Sequence, residues 1–410
     1  MLSVQSINII KSTVPVLEVH GVTITKRFYE LLFTNHPELL NLFNHANQKQ
    51  GRQQAALANT VYAAALHIEN LSAIIPVVKQ IGHKHRSLGV KPEHYPVVGK
   101  YLLMAIKDVL GDAATDDILN AWAEAYGIIA DAFISIENEM YEEAHTAAGG
   151  WEGFRSFRVE RMVKESEVIS SFYLVPEDGG AIAAFKPGQY VSVKINQEGA
   201  EHTQIRQYSL SASSGKPYYR ISVKREDGDQ DRAAGAVSTY LHQCAAVGTP
   251  LLLSAPAGDF TLNLEDERPV VLLSGGVGLT PMLSMLHTLV EQAPKRPVTF
   301  IHAAQNGDFH ALREEVDALA SEHPQLAVYY CYNNPTKQDL EQQRFHKTGY
   351  VDLPWLQSVI KDAGGPFYFC GPLPFMTAMN RSLKQWGIPE ADIHFEFFGP
   401  AASLEPAVTV

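Results

Sequence analysis

His85 is the first residue of this 410-residue chain whose position could carry chemistry, because it shares a helical face with Ile81 and Leu88. His83 falls roughly on the opposite side, and His94 lies beyond the next break. A histidine on an apolar face is usually an ordinary core residue, so its company matters. About thirty residues upstream, Gln53 interrupts an apolar stripe of Leu57, Thr60, Val61 and Ala64, and Phe28-Tyr29 precede Phe43 in an Asn-Leu-Phe-Asn corner. Downstream, Trp122, Tyr126, Ile129, Phe133 and Met140 trace the inner stripe of a long helix, and Glu137 falls on that stripe. A buried carboxylate needs a partner. Either Glu137 is solvated near the helix end, or it accepts the second N–H of His85 with Tyr95 beside it, making the imidazole a stronger donor to a metal.

A second set lies further along. Lys186-Pro187-Gly188-Gln189-Tyr190 is followed by Arg206-Gln207-Tyr208-Ser209, and together they resemble the flavin-binding strands of the ferredoxin-reductase superfamily. The resemblance implies that Arg206 pairs with the flavin pyrophosphate, that Tyr208 lies on the isoalloxazine and that Ser209 reaches its reactive edge. A planar guanidinium suits a pyrophosphate, and an aromatic ring suits a flat heterocycle. Gly235-Ala236-Val237-Ser238 opens a helix whose N–H groups could face the same pyrophosphate, with Thr239 where the superfamily commonly has asparagine. Gly275, Gly276, Val277, Gly278 and Leu279 follow a strand, with Thr280 as expected N-cap and Pro281 in the first turn. Strand, glycine loop and helix in that order fit the pyrophosphate of a nicotinamide nucleotide. Cys370-Gly371-Pro372 resembles the motif whose thiol lies near the nicotinamide, although Cys370 could equally be an inert buried thiol. Glu396-Phe397-Phe398-Gly399-Pro400 matches the C-terminal segment that packs on the flavin, with Phe398 as the stacking ring.

Periodicity supplies the scaffold. Apolar positions recur at three and four up to about Tyr141, with breaks at Gly21, His36-Pro37 and Lys91-Pro92, so this part is all-helical. Ala147-Ala148-Gly149-Gly150 reads as a flexible linker. Alternating strands follow, around Val168 to Leu174, Tyr190-Val193, Gln207-Leu210 and Tyr219-Val223, and imply a small antiparallel barrel. From Pro269, strands at Val270-Leu273, Val298-His302, Ala327-Tyr332 and Phe367-Cys370 alternate with helices such as Leu312 to Leu319, implying a covered parallel sheet. The expected boundaries are 1–146, a linker at 147–153, 154–264 and 265–410.

With 46% hydrophobic and 19% charged residues the chain reads as globular. A net charge of -12 argues against nucleic acid or an anionic membrane as partner. Three cysteines match no zinc spacing, and neither a signal peptide nor a membrane span is expected, so a cytoplasmic location is.

The helical part resembles a globin, with His85 proximal, Gln53 distal and Phe43 on the porphyrin. A globin followed by this reductase is the arrangement of flavohaemoglobins, and the resemblance runs from Met1 to about Pro400. It implies a multidomain fold: an all-α globin, an antiparallel β-barrel FAD domain and an α/β parallel-sheet NAD-binding domain. It also implies nitric oxide dioxygenase activity, in which NADH or NADPH reduces FAD, FAD reduces a b-type haem, and nitric oxide and dioxygen become nitrate. Tyr29 and Gln53 would hydrogen-bond bound oxygen, Leu57 restrict the pocket, and Tyr95 and Glu137 tune His85. Lys84 and Glu396 would lie where haem and flavin domains approach. The small molecules NO, O2 and NAD(P)H are the expected partners, with no protein partner required. Two rivals are an oxygen-binding or sensing globin and a general flavin-dependent ferric or quinone reductase. NADH is expected over NADPH, because the segment from His302 to Asp308 carries no cation and Arg313 comes a turn later.

Overall fold

The computed structural model describes residues 2–43, 48, 50–197, 199, 201–230 and 233–399. The chain folds as two compact units: the helices up to Phe154 together with Lys194–Arg206, and a second unit comprising Arg155–Val193 and Gln207–Phe398.

Among the described residues, five helices build the first unit: α1 (Val4–Asn35), α2 (Arg52–Leu66), α3 (Ile75–Leu88), α4 (His94–Leu110) and α5 (Asp116–Thr146). Ser3 caps α1 by accepting from Ser6 N at 3.0 Å, and Thr115 caps α5. The break expected at Gly21 does not occur, for α1 runs unbroken through it. Gly21 lies where α1 meets α2, and a Cβ there would make an ordinary contact with Ala58 at 3.5 Å. The breaks at His36-Pro37 and Lys91-Pro92 are present. Gly89 ends α3 in the left-handed region, its N–H bonding Arg86 O while Val90 N bonds His85 O.

One glycine sets a distance on which the helical site depends. A Cβ on Gly99 of α4 would lie 2.5 Å from the Tyr126 ring, and a Cβ on Gly82 of α3 would sit 3.4–3.7 Å from Met140, Glu137 and Ile136 of α5. Gly99 therefore lets α4 approach α5, whereas a side chain at Gly82 would meet α5 at ordinary contact distances. The stretch after α5 begins with a tight turn: Gly150 N bonds Ala147 O at 2.7 Å, and a Cβ on Gly150 would strike Ala144 O.

Among the described residues the strands form two sheets, most of whose residues lie in the second unit. Strands β1 (Phe154–Lys164), β2 (Ile169–Pro176), β3 (Tyr190–Ile195), β4 (Gln204–Ser209), β5 (Tyr219–Lys224) and β6 (Pro250–Ser254) form one, in the order β4-β3-β6-β1-β2-β5. An antiparallel bridge between Leu210 and Ile221 joins its two ends, closing it into the expected barrel. The other sheet has the order β10-β9-β8-β7-β11-β12, from β7 (Val270–Gly275), β8 (Val298–Ala304), β9 (Leu326–Tyr332), β10 (Lys347–Thr348), β11 (Phe367–Cys370) and β12 (Ile393–Glu396). Its neighbours pair in parallel. The helices around the two sheets are α6 (Ala236–Gln243), α7 (Leu279–Gln292), α8 (Arg313–Glu322), α9 (Lys337–Gln342), α10 (Leu353–Val359) and α11 (Leu373–Trp386). The strand β7, whose side chains are all buried, forms the centre of this core with α7 packed on it. Among the described residues no helix is long and apolar enough to cross a membrane.

Candidate functional site

The three helices α3, α4 and α5 bring together the residues that sequence spacing singled out. His85 Nδ1 donates to Glu137 Oε1 at 2.7 Å, and the Tyr95 hydroxyl donates to the same oxygen at 2.7 Å. Glu137 is 2% exposed, so the solvated alternative is excluded. Tyr126 donates to the Tyr95 carbonyl at 2.6 Å across the contact that Gly99 permits, which fixes Tyr95 in turn. Burial first, and then the Glu137 charge, push the Tyr95 phenol far above its usual range, so it remains a donor. With Nδ1 engaged, Nε2 is the nitrogen of His85 left for a metal. His94 is occupied elsewhere, its Nδ1 accepting from Lys91 N at 3.1 Å.

No group of three or more histidine, cysteine or acidic side chains able to hold a metal exists among the described residues. A single imidazole cannot retain a bare ion, so His85 fits a metal whose other ligands come from a prosthetic group, as in haem. On the α1 side, Tyr29 is 6% exposed and its ring meets Phe43 edge-on at 5.8 Å. Its hydroxyl is raised well above the usual range by burial, opposed by hydrogen bonds with Gln48 and Gln53. Tyr29, Gln53 and Phe43 are thus one cluster. Leu57 is half-buried and packs against the same core, and Lys84 is half-buried on α3 beside His85. Gln48 was not foreseen. It lies in a segment without periodicity, and only the fold brings it to Tyr29.

In the second unit, Gly188 has φ +105° and a Cβ there would meet Phe260 O, so the turn before Tyr190 demands glycine. Tyr190 is buried. Gln207 and Tyr208 are half-buried on β4 and Ser209 is buried, with Gln207 Nε2 donating to Ser192 Oγ at 3.2 Å, while Arg206, the last residue of the segment counted with the first unit, is half-buried. Gly235 precedes α6 in extended conformation with no side-chain cap, leaving first-turn N–H groups for an anion. Val237 is fully buried, so only its backbone can serve. The Ser238 hydroxyl accepts from Glu226 N and donates to Gly235 O, holding the turn. Thr239 Oγ1 is buried without a hydrogen-bond partner, which fits a bound polar group such as the FAD pyrophosphate.

The three glycines after β7 divide their work. A Cβ on Gly278 would meet Cys370 O at 2.2 Å and one on Gly275 would meet the Phe375 ring, whereas Gly276, at φ +53°, has open space. Gly276 is the position left for close approach by a phosphate. Val277, between them, is half-buried in the same 3-10 turn. Thr280 is not the N-cap. The turn Gly276–Gly278 runs directly into α7 with Gly278 as cap, so the helix starts at Leu279 and the Thr280 hydroxyl donates back to Val277 O at 3.1 Å. Pro281 does fall in the first turn. Cys370 is fully buried, and burial followed by the charge of Glu396 holds its thiol well above the usual range, so it stays protonated. Glu396 is its partner in the β11–β12 register. Gly371 and Pro372 lead into α11, Phe397 packs into the core, and Phe398 is 48% exposed, its ring available to cover a ligand. Gly399 is the last described residue, and Pro400 lies outside the described residues.

Residues 26–133 match the family described as Globin, and residues 272–381 match the oxidoreductase NAD-binding domain. A flavohemoprotein of Bacillus thuringiensis subsp. konkukian is 61% identical over 405 residues, covering 99% of this chain and all of the relative. The structure is similar to the flavohemoglobin of Malassezia yamatoensis, solved with bound FAD and heme, with TM-score 0.84, 29% identity, and coverage of 97% of this chain and 100% of that one. The flavohem-like FAD/NAD-binding domain of the nitric oxide dioxygenase of Vibrio cholerae covers 60% of this chain and 99% of its own, at 40% identity and TM-score 0.54.

Proposed function

Because the chain belongs to the flavohemoprotein family, we propose that it oxidises nitric oxide with dioxygen to nitrate, using electrons from NAD(P)H, and so detoxifies nitric oxide. The observation that carries this is the His85–Glu137–Tyr95 constellation on a globin scaffold in the same chain as a nucleotide-type parallel sheet. An imidazole hydrogen-bonded to a buried carboxylate is a strong electron donor, which favours oxygen chemistry over reversible storage. The fused sheet and barrel speak likewise against a sensor. The intact Tyr29–Gln53 pair speaks against a reductase with a vestigial globin.

Bound haem would supply the iron where dioxygen and nitric oxide meet, and bound FAD would convert a hydride pair into single electrons. The chain does the rest. Glu137 and Tyr95 keep the His85 proton at Nδ1 and turn Nε2 toward the metal. Tyr29 and Gln53 would present donors to a ligand of the bound group, Phe43 would pack against its ring, and Leu57 would narrow the pocket. Arg206, Gln207, Tyr208 and Ser209 with Tyr190, Phe398 and the α6 N-terminus hold FAD. The loop at Gly276 and the ends of β7 and β11 hold the nucleotide. Lys84 would act on the haem side of electron transfer and Glu396 on the flavin side. Segments 1–146, 154–264 and 265–410 divide these tasks, and a cytoplasmic location fits three free cysteines.

His85→Ala tests this directly. The variant should lose haem absorbance and nitric-oxide-dependent NADH oxidation while keeping flavin and NADH-dependent ferricyanide reduction. Normal haem absorbance in His85→Ala, with loss in His83→Ala, would refute the assignment.

A further inference from the structure

The strand β5 and the helices α7 and α8 belong to the same compact unit, and one arginine joins them. Arg220 lies on β5 and is 4% exposed. Its Nε donates to Ser211 Oγ at 3.0 Å, its Nη2 donates to Ser211 O, and Ser211 N donates back to Arg220 O at 2.9 Å. Ser211 comes two residues after Ser209, where the strand assigned to FAD ends. The other edge of the guanidinium faces α8, with Nη1 donating to Glu315 Oε2 at 2.7 Å and Nη2 to Glu315 Oε1 at 2.8 Å. Glu315 Oε1 also accepts from His287 Nε2 on α7, the helix that leaves the Gly276 turn. Burial opposes the charge on Glu315, but hydrogen bonds from His287 and Arg220 outweigh it and hold the carboxyl at about 2, so it stays ionised. A peripheral link between the same parts is weaker: Ser213 Oγ and Lys216 Nζ each donate to Glu291 Oε1 at 3.0 Å, where Lys216 and Glu291 are exposed.

A buried ion pair rarely holds parts together better than apolar side chains of the same bulk, because both charges must leave water. What a guanidinium fork adds is direction, since it fixes its partners in one plane. We propose that Arg220, Glu315 and His287 form a clamp that sets the distance and angle between the flavin strand at Ser209 and the glycine turn before α7. They are thereby positioning residues for hydride transfer, which turns NADH into NAD+ and FAD into FADH−. The proposal rests on the reductase reading of this unit. The clamp acts through Ser211 and through α7, whose ends carry the groups that hold the two cofactors.

The test mixes the full-length, haem- and FAD-loaded protein with NADH without oxygen and follows bleaching of the flavin at increasing NADH. Glu315→Gln and Arg220→Lys should lower the limiting rate about ten- to a hundredfold, with the half-saturating NADH concentration changed by less than about twofold, as a misplacement of about 1 Å would do. A second readout is spectroscopic: NAD+ added to the reduced protein should give a weaker long-wavelength charge-transfer band in these variants, because the two rings stack less well. The double variant Arg220→Met, Glu315→Met replaces the pair by apolar bulk, so it should keep the thermal midpoint and still transfer hydride slowly. Wild-type rates in the double variant or in both single variants, or an undiminished band, would overturn the clamp. A wild-type protein whose flavin NADH does not reduce would overturn the reductase reading itself, and the clamp with it.

Discussion

Glu137→Gln is the sharpest perturbation of the helical site. One oxygen, Glu137 Oε1, accepts from both His85 and Tyr95 at 2.7 Å in a setting only 2% exposed. The glutamine keeps the shape and an acceptor oxygen but removes the charge. Charge-assisted hydrogen bonds are worth roughly 1.5–3 kcal/mol against about 0.5–1.5 for neutral ones, so the His85 bond should weaken by about 1–1.5 kcal/mol. If that loss falls mainly on the oxidised metal, whose charge a more anionic imidazole favours, the haem midpoint potential should rise by roughly 45–65 mV, since about 1.4 kcal/mol equals 59 mV for one electron. The assay is resonance Raman spectroscopy of the ferrous protein with a redox titration. The iron–histidine stretching frequency should fall and the potential rise, with haem retained. An unchanged frequency and potential would show that Glu137 holds helices together without reaching the metal.

Three further outcomes follow from the geometry. Gly99→Ala puts a Cβ 2.5 Å from the Tyr126 ring and should cost about 1–3 kcal/mol, lowering the thermal midpoint and shifting the haem spectrum as Tyr95 moves; an unchanged melt would contradict the close α4–α5 packing. Burial pushes His302 down to about 3, below its unfolded value near 6.5. The unfolded state then binds the extra proton, so this contribution is complete above about pH 6.5 and is lost as pH falls toward 3, by about 2 kcal/mol between pH 7 and 5. Denaturant titrations should show that loss, reduced in His302→Gln, and an identical slope in the variant would refute the assignment. NADH should give a higher kcat/KM than NADPH, because Arg313 is held by the Tyr332 hydroxyl at 3.1 Å, by Asp317 and by the Arg344 carbonyl; a preference for NADPH would mean that Arg313 leaves those partners for the 2'-phosphate.

The phase of His85 was legible because a helix face depends only on spacing, and Glu137 stood out as an acid in an apolar stripe. Gly21 misled because glycine weakens a helix on its own, by about 1 kcal/mol, which the packing of a 32-residue α1 outweighs. Thr280 misled for a related reason: a threonine near a helix start has the composition of a cap, but the preceding 3-10 turn moved the start forward. Reading Gly275, Gly276 and Gly278 as one phosphate cradle was too simple, since two of them face Phe375 and Cys370. Gln48 and Thr239 left no periodic signal. Each gains its role from a partner distant in sequence.

The central claim is that electrons from a nicotinamide nucleotide reach a haem where nitric oxide is oxidised. It is tested most directly by following nitric oxide with an electrode while measuring NADH consumed and nitrate formed by the purified, haem- and FAD-loaded protein in air. Rapid, NADH-dependent loss of nitric oxide is expected, with nitrate as the product and one NADH used for every two nitric oxide molecules. Steady NADH oxidation that nitric oxide does not accelerate, or nitric oxide bound without nitrate appearing, would contradict it.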